Sequence, residues 1–275
     1  MKPKAPVLFV SHGGGPLPLL ADPGHAGMIE AFAQIRKKLQ KLAHQPVALV
    51  FVSAHWEAST VTVTGSAKPS LYYDYYGFPA EAYTIRYPAR GSPDLAQSIV
   101  GHLQHAGINA STDANRGLDH GVFVPALLLF PDAQLPCIQL SLLEGLDAGR
   151  HLALGKALRY LREQNVMIIG SGFSFHNMRE FFSAGNPQAD ELNLAFEQWL
   201  SESLTLADQQ QREQRLLDWA QAPGARFCHP REEHLMPLHV CAGAADTAVS
   251  EQWQFKVLGR QGSCFWWDSI SATTA

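Results

Sequence analysis

Three histidines stand at or just past short, strongly apolar runs: His12 closes VLFVSH, His55 closes VALVFVSAH, and His176 lies a few residues beyond VMIIGSG. Neutral imidazole suits iron, zinc, copper or nickel, and three protein ligands that leave positions open make a catalytic metal site. Apolar runs of this kind read as parallel strands buried on both faces, and such sheets bind ligands outside the carboxyl ends of their strands. Residues far apart in sequence would therefore converge at one rim. His120 in GLDHGVF and His234 in REEHLMPLH occupy similar loop-like settings. A single histidine after a strand is most often a cap or a loop anchor, but five recurrences among 12 histidines change the odds.

The other histidines are expected elsewhere. His25, His44, His102, His105 and His151 fall within or beside amphipathic helices and read as surface residues, while His229 and His239 fit either role. A separation of five turns about 140° around a helix, so His234 and His239 do not share a face. The HExxH zinc signature is absent. Glu233 and Asp119, each beside a candidate histidine, are the carboxylates placed to join a metal, and each reads equally well as a solvated loop acid.

The elements that position these residues follow from periodicity. Residues 6–11 and 46–54 read as buried strands, with an amphipathic helix between them over 22–42, carrying Met28, Phe32, Ile35, Leu39 and Leu42 on one side. Thr60–Thr64 alternates polar and apolar, as a half-exposed strand does. The aromatic stretch 70–93 is punctuated by Gly77, Pro79, Pro88 and Pro93 and reads as a long functional loop around one strand, YTIRY. Leu95, Ile99 and Leu103 mark a helix, INAST a short strand, and Pro125 in VFVPALLLF suits a first helical turn. Residues 136–143 and the VMIIGSG run read as core strands, with a helix at Leu154, Leu158 and Leu161 between them. Residues 188–220 are helix-rich, with an apolar stripe of Leu192, Phe196 and Leu200, and His234 opens a further helix. WQFKVLG and SCFWWDS close the chain as a strand pair turning at Gln261-Gly262. No repeat or linker interrupts the pattern. The expectation is an α/β fold in one domain, 1–275, with a mostly parallel central sheet flanked by helices and a metal site at the carboxyl ends of the strands.

Composition bounds the function. The chain has 275 residues, 46% hydrophobic and 17% charged, which supports one sizeable core. A net charge of −4 with no basic run argues against nucleic acid and favours a small-molecule partner. Cys137, Cys228, Cys241 and Cys264 include no C-x-x-C pair, and Cys137 reads as a core residue, so a reduced, cytoplasmic setting is expected. The apolar stretch after MKPKAP is too short for a signal-peptide core, and no segment approaches a membrane span.

At these residues the chain resembles a known family. SHGGGP at 11–16, VSAHW at 52–56, GFP at 77–79, YPARGSP at 87–93, LDHGVFVP at 118–125, GSGFSFHN at 170–177 and EEHLMPLH at 232–239 follow the order and spacing of class III extradiol ring-cleaving dioxygenases, nearest to their 4,5-DOPA dioxygenase-like branch. The start SHGGGP replaces the usual GHGSP-like motif, and the tyrosine-rich loop is not the commonest form. Both departures touch the pocket rim more than the metal. The resemblance implies metal ligands at His12, His55 and a residue of the EEH segment, with His234 chosen over Glu233. It implies an acid/base role for His176, which is drawn onto the metal in the absence of substrate, and a substrate-contacting or oxygen-orienting role for His120.

The implied reaction is oxidoreductase chemistry of aromatic compound metabolism: opening of a catechol ring with O2, requiring Fe(II) for activity. Zn(II) fits the same ligands but has no accessible redox change. Three neutral imidazoles leave the full charge of a divalent ion to lower the pKa of catechol hydroxyls, and a histidine with a pKa near the working pH can take the remaining proton. Tyr72, Tyr73, Tyr75, Tyr76 and Phe78 either sandwich the substrate ring or pack the loop. Two other functions fit the same ligands: a zinc hydrolase using metal-bound water, and a non-enzymatic metal-binding member of the fold.

Overall fold

The computed structural model describes residues 4–181 and 186–268. Four apolar runs lie side by side and in parallel at its centre: β5 (Cys137–Leu143), β2 (Ala48–Ala58), β6 (Val166–Gly172) and β1 (Val7–Ser11). All seven residues of β5 and of β6 are buried, as strands covered on both faces must be. At one edge, β3 (Val61–Thr64) pairs antiparallel with β5 and parallel with β4 (Ala110–Asp113). At the other, β8 (Arg260–Trp267) runs antiparallel to β1 and carries β7 (Glu251–Val257) outside it. The sheet order is β4-β3-β5-β2-β6-β1-β8-β7. This is the α/β architecture that the apolar runs led us to expect.

Helices α1 (Ala26–Gln40), α2 (Pro93–His105), α3 (His120–Leu129), α4 (Ala148–Leu158), α5 (Tyr160–Glu163), α6 (Met178–Phe181), α7 (Pro187–Thr205), α8 (Gln209–Leu217), α9 (Ala225–Cys228) and α10 (Met236–Ala245) cover the sheet. α3 packs on β2 and β6, with α1 against it, and α10 packs on β1, β2 and β6 with α4 beside it. α10 comes close because β6 has glycine where it crosses. A Cβ on Gly172 would lie 2.1 Å from the His234 carbonyl oxygen. No helix among the described residues is long and apolar enough to cross a membrane.

Several local expectations fail for physical reasons. β3 is almost wholly buried rather than half-exposed, because β4 and β5 flank it on both edges and α2 packs against it. YTIRY forms no strand: Ala80–Thr84 is a 3-10 turn, and Ile85–Tyr87 runs on as irregular chain. Pro125 sits inside α3 rather than in its first turn. The C-terminal hairpin turns at Leu258-Gly259, where both residues have positive φ (50° and 86°), the signature of a tight type I′ turn. Gln261 and Gly262 are already within β8, paired with Lys256 and Phe255. Ser269, the last residue of SCFWWDS, lies outside the described residues. His25 and His151 are not on the surface but fully buried, whereas His44, His102 and His105 are exposed.

Candidate metal centre

Each of the five recurring histidines arrives at the carboxyl rim by a different route. His12 directly follows β1, its N–H bonded to the Gly172 carbonyl at the end of β6. His55 lies within β2, where the register against β5 slips: β2 advances from Val52 to Glu57 while β5 advances only from Leu140 to Leu142. Such a bulge re-aims side chains, and here it carries His55 across the rim. His120 is the first residue of α3, His176 follows β6 with its N–H on the Cys228 carbonyl, and His234 stands two residues before α10.

The rings converge. Ring centroids lie 5.0 Å apart for His12–His55, 5.4 Å for His12–His234, 4.9 Å for His55–His234 and 3.9 Å for His55–His120. His176 stacks on His234 at 3.4 Å and 15°. One possible ligand atom from each of His12, His55 and His120 lies within 4.8 Å of the others, and the same holds for His176, Glu233 and His234.

Anchors outside the rings fix their orientation. Glu233 Oε1 lies 3.0 Å from both His176 Nδ1 and His234 Nδ1. Asp74 Oδ1 accepts from His120 Nδ1 at 2.8 Å and from the His120 backbone N–H at 3.0 Å, while its Oδ2 lies 3.6 Å from His55 Nδ1. Burial pushes both carboxyls up, but hydrogen bonds and charge from His120 at Asp74, and from His176 at Glu233, outweigh it and hold them below their usual range.

For His12 the anchor is Ser171, and Pro125 decides how it acts. Proline has no N–H to give the carbonyl four residues back. The Gly121 carbonyl, freed in this way, accepts the Ser171 hydroxyl proton instead. Ser171 Oγ can then only accept from His12 Nδ1, 3.0 Å away. The proton of neutral His12 is thus on Nδ1, and its Nε2 lone pair faces His55 Nε2 at 3.0 Å.

Burial lowers the pKa of His12, His55 and His234 well below 6.5, and neighbouring imidazoles lower it further. The rings are therefore neutral at pH 7, with nitrogen lone pairs facing one another across a few ångströms. That donor set fits a divalent transition metal, and the acids and hydroxyl holding the far nitrogens are the partners that metal-bound histidines normally have.

Asp119 does not join the cluster. Burial raises its pKa, and its oxygens are taken by Ser53 (2.7 Å), Gln139 and Arg116 (3.3 Å). Its work is to hold the loop before His120. His229 and His239 are core residues whose ring nitrogens contact the backbone carbonyls of Ser174, Leu216 and Leu235. Of the aromatic loop, Tyr75, Tyr76 and Phe78 line a cavity of about 400 Å³ beside the histidines, while Tyr73 bonds the Ile85 carbonyl and Tyr72 lies against Arg116. Asp74 and Ser171 carry no local signal in the sequence. One is an acid among tyrosines, the other a serine inside a strand.

A buried multi-imidazole cluster at the rim of this sheet defines a metal-dependent class of enzyme, and comparison with known proteins identifies which. Residues 6–265 match the model of the catalytic LigB subunit of aromatic ring-opening dioxygenase, so the chain belongs to that family and is a ring-cleavage dioxygenase. It is 42% identical over 262 residues to the dioxygenase tasH of Hapsidospora irregularis, covering 90% of this chain and 81% of that one. It is 36% identical to the 4,5-DOPA dioxygenase extradiol of Beta vulgaris, covering 86% and 85%. The crystal structure of uncharacterized protein JW3007 from Escherichia coli K12 superposes with a TM-score of 0.75 at 27% identity, covering 96% of this chain and all of that one.

Proposed function

We propose that residues 1–275 form one catalytic domain that cleaves a catechol ring extradiol with O2, using Fe(II) held by His12, His55 and His234. The observation that carries this reading is the cluster of five imidazoles at one rim of the sheet, with outer nitrogens of His12, His120 and His234 anchored by Ser171, Asp74 and Glu233. Fe(II), when bound, supplies the redox-active centre at which a catecholate and O2 meet; Zn(II) fits the same nitrogens without that capacity.

His176 is the acid–base group. Glu233 holds its Nδ1–H at 3.0 Å, leaving Nε2 to take a catechol hydroxyl proton and return it as the ring opens. With no substrate present, His176, which lies stacked on His234, would also join the metal. His120, held through Nδ1 by Asp74, offers Nε2 to a substrate oxygen or to O2. The four cysteines are free and buried, which supports a reducing, cytoplasmic setting.

The test is anaerobic Fe(II) loading followed by catechol, protocatechuate or L-DOPA with O2. Oxygen uptake and a yellow ring-opened semialdehyde are expected, and no uptake with any catechol overturns the reading. His176→Ala should retain bound metal and lose about 10²–10⁴-fold in turnover. Normal turnover in that variant removes His176 from the acid–base role.

A further inference from the structure

Resting on the dioxygenase reading, we propose that the ring opened here carries an apolar, uncharged substituent, an alkyl or aryl chain, rather than a carboxylate or an amino-acid side chain. The cavity beside the histidines encloses about 400 Å³, more than a bare catechol ring fills. Its polar side chains are the five imidazoles, Asp74 and the hydroxyl-bearing Tyr75 and Tyr76, and the Tyr75 hydroxyl already donates to the Ala82 carbonyl. Apart from the backbone of Gly13–Gly15, the rest is mostly apolar side chain, with Leu17, Phe78, Phe173, Met178, Phe181 and Leu258 among it. A substituent leaving the ring therefore meets hydrocarbon.

Two features extend this surface to the mouth. Tyr76 is 92% exposed and Met178 55% exposed, and both line the cavity. Large apolar side chains left in water at the entrance of an apolar pocket mark a surface that a ligand covers. Charge points the same way. Among the described residues lining the cavity there is no lysine or arginine. The cations nearest in sequence face outward: Arg179 is exposed on α6, and strand alternation puts Lys256 on the wet face of β7, opposite buried Phe255 and Val257. A carboxylate entering here would give up its hydration without gaining a cationic side chain, and it would approach the Asp74 carboxylate.

The experiment compares catechol, 4-methylcatechol, 4-propylcatechol and 4-butylcatechol with protocatechuate and L-DOPA on the Fe(II)-loaded full chain. We expect kcat/KM to rise up to about fourfold for each methylene that the cavity buries, the factor equivalent to about 0.8 kcal/mol per CH2. Protocatechuate and L-DOPA should fall below unsubstituted catechol. Anaerobic calorimetry on the Zn(II)-loaded protein should show the same order in Kd, independent of turnover. A flat response to chain length, or either acid outperforming catechol, overturns the inference while leaving the dioxygenase reading intact. Failure of every catechol, the unsubstituted one included, defeats that underlying reading instead. Met178→Lys, at an exposed position, should shift the preference between protocatechuate and 4-butylcatechol at least tenfold toward the acid. An unchanged ratio also counts against the inference.

Discussion

His25 and His151 are as thoroughly buried as His12, at 0%, 0% and 1% exposure, yet they do opposite work. The Gly14 N–H donates to His25 Nε2, and His25 Nδ1 donates to Asp22 Oδ2 at 2.6 Å. The Leu143 N–H donates to His151 Nε2, and His151 Nδ1 donates to the Asp147 carbonyl at 2.7 Å. Both nitrogens of each ring are spent inside the fold. In His12, His120, His176 and His234 the Nδ1 edge is anchored and the other nitrogen is left over. Burial does not distinguish a site histidine from a structural one. Unspent nitrogens gathered among other imidazoles do: His229 Nδ1 also lacks a hydrogen-bond partner, but that ring packs against Phe196 and Trp219.

Exchanging the two kinds of histidine gives the largest expected effect. His55→Ala should abolish stoichiometric Fe(II) or Zn(II) binding after dialysis while the chain still melts cooperatively. His25→Ala should keep the metal and lose about 1–3 kcal/mol of stability, the cost of stranding a buried partner. If both variants bound metal equally well, the distinction would collapse.

A smaller change sharpens it by touching only an anchor. Ser171→Ala leaves every imidazole in place but frees His12 to take either tautomer. Metal affinity measured by chelator competition should fall about 10–100-fold, the usual cost of losing such a partner. Unaltered affinity would mean that Ser171 does not orient the ring.

A further effect is one of pH, on the structural side. Burial lowers His151 to about 4, whereas the unfolded chain titrates near 6.5. Between those values the unfolded state binds the extra proton, so stability is complete above about pH 6.5 and falls as pH drops toward 4. The loss from this one group is roughly 3 kcal/mol. Melting of the metal-free protein across that window should show the slope, and His151→Gln, which can still accept the Leu143 N–H, should flatten it. An unchanged slope in that variant would assign the pH dependence to other groups.

The strands were legible because burial on both faces writes itself as an unbroken apolar run: VMIIGSG is β6 residue for residue. The five histidines were legible for a related reason, since each follows such a run or stands at or just before the start of a helix. What stayed hidden depends on partners distant in sequence. Asp74 meets His120 across 46 residues, and nothing around it distinguishes it from a loop acid. His151 is helical and follows exposed Arg150, but its ring turns inward to serve the end of β5. Pro125 suited a first turn by local rules. Only the approach of Ser171 explains why a helix tolerates it deeper inside.

His234 is translated more than two hundred residues after His12. Gly172 can receive the backbone at His234 only after that stretch has left the ribosome and folded down onto the sheet. On the ligand set proposed above, a nascent or prematurely terminated polypeptide would lack its third imidazole, however complete its first six strands are. Ion capture by that set would then be a late step in maturation.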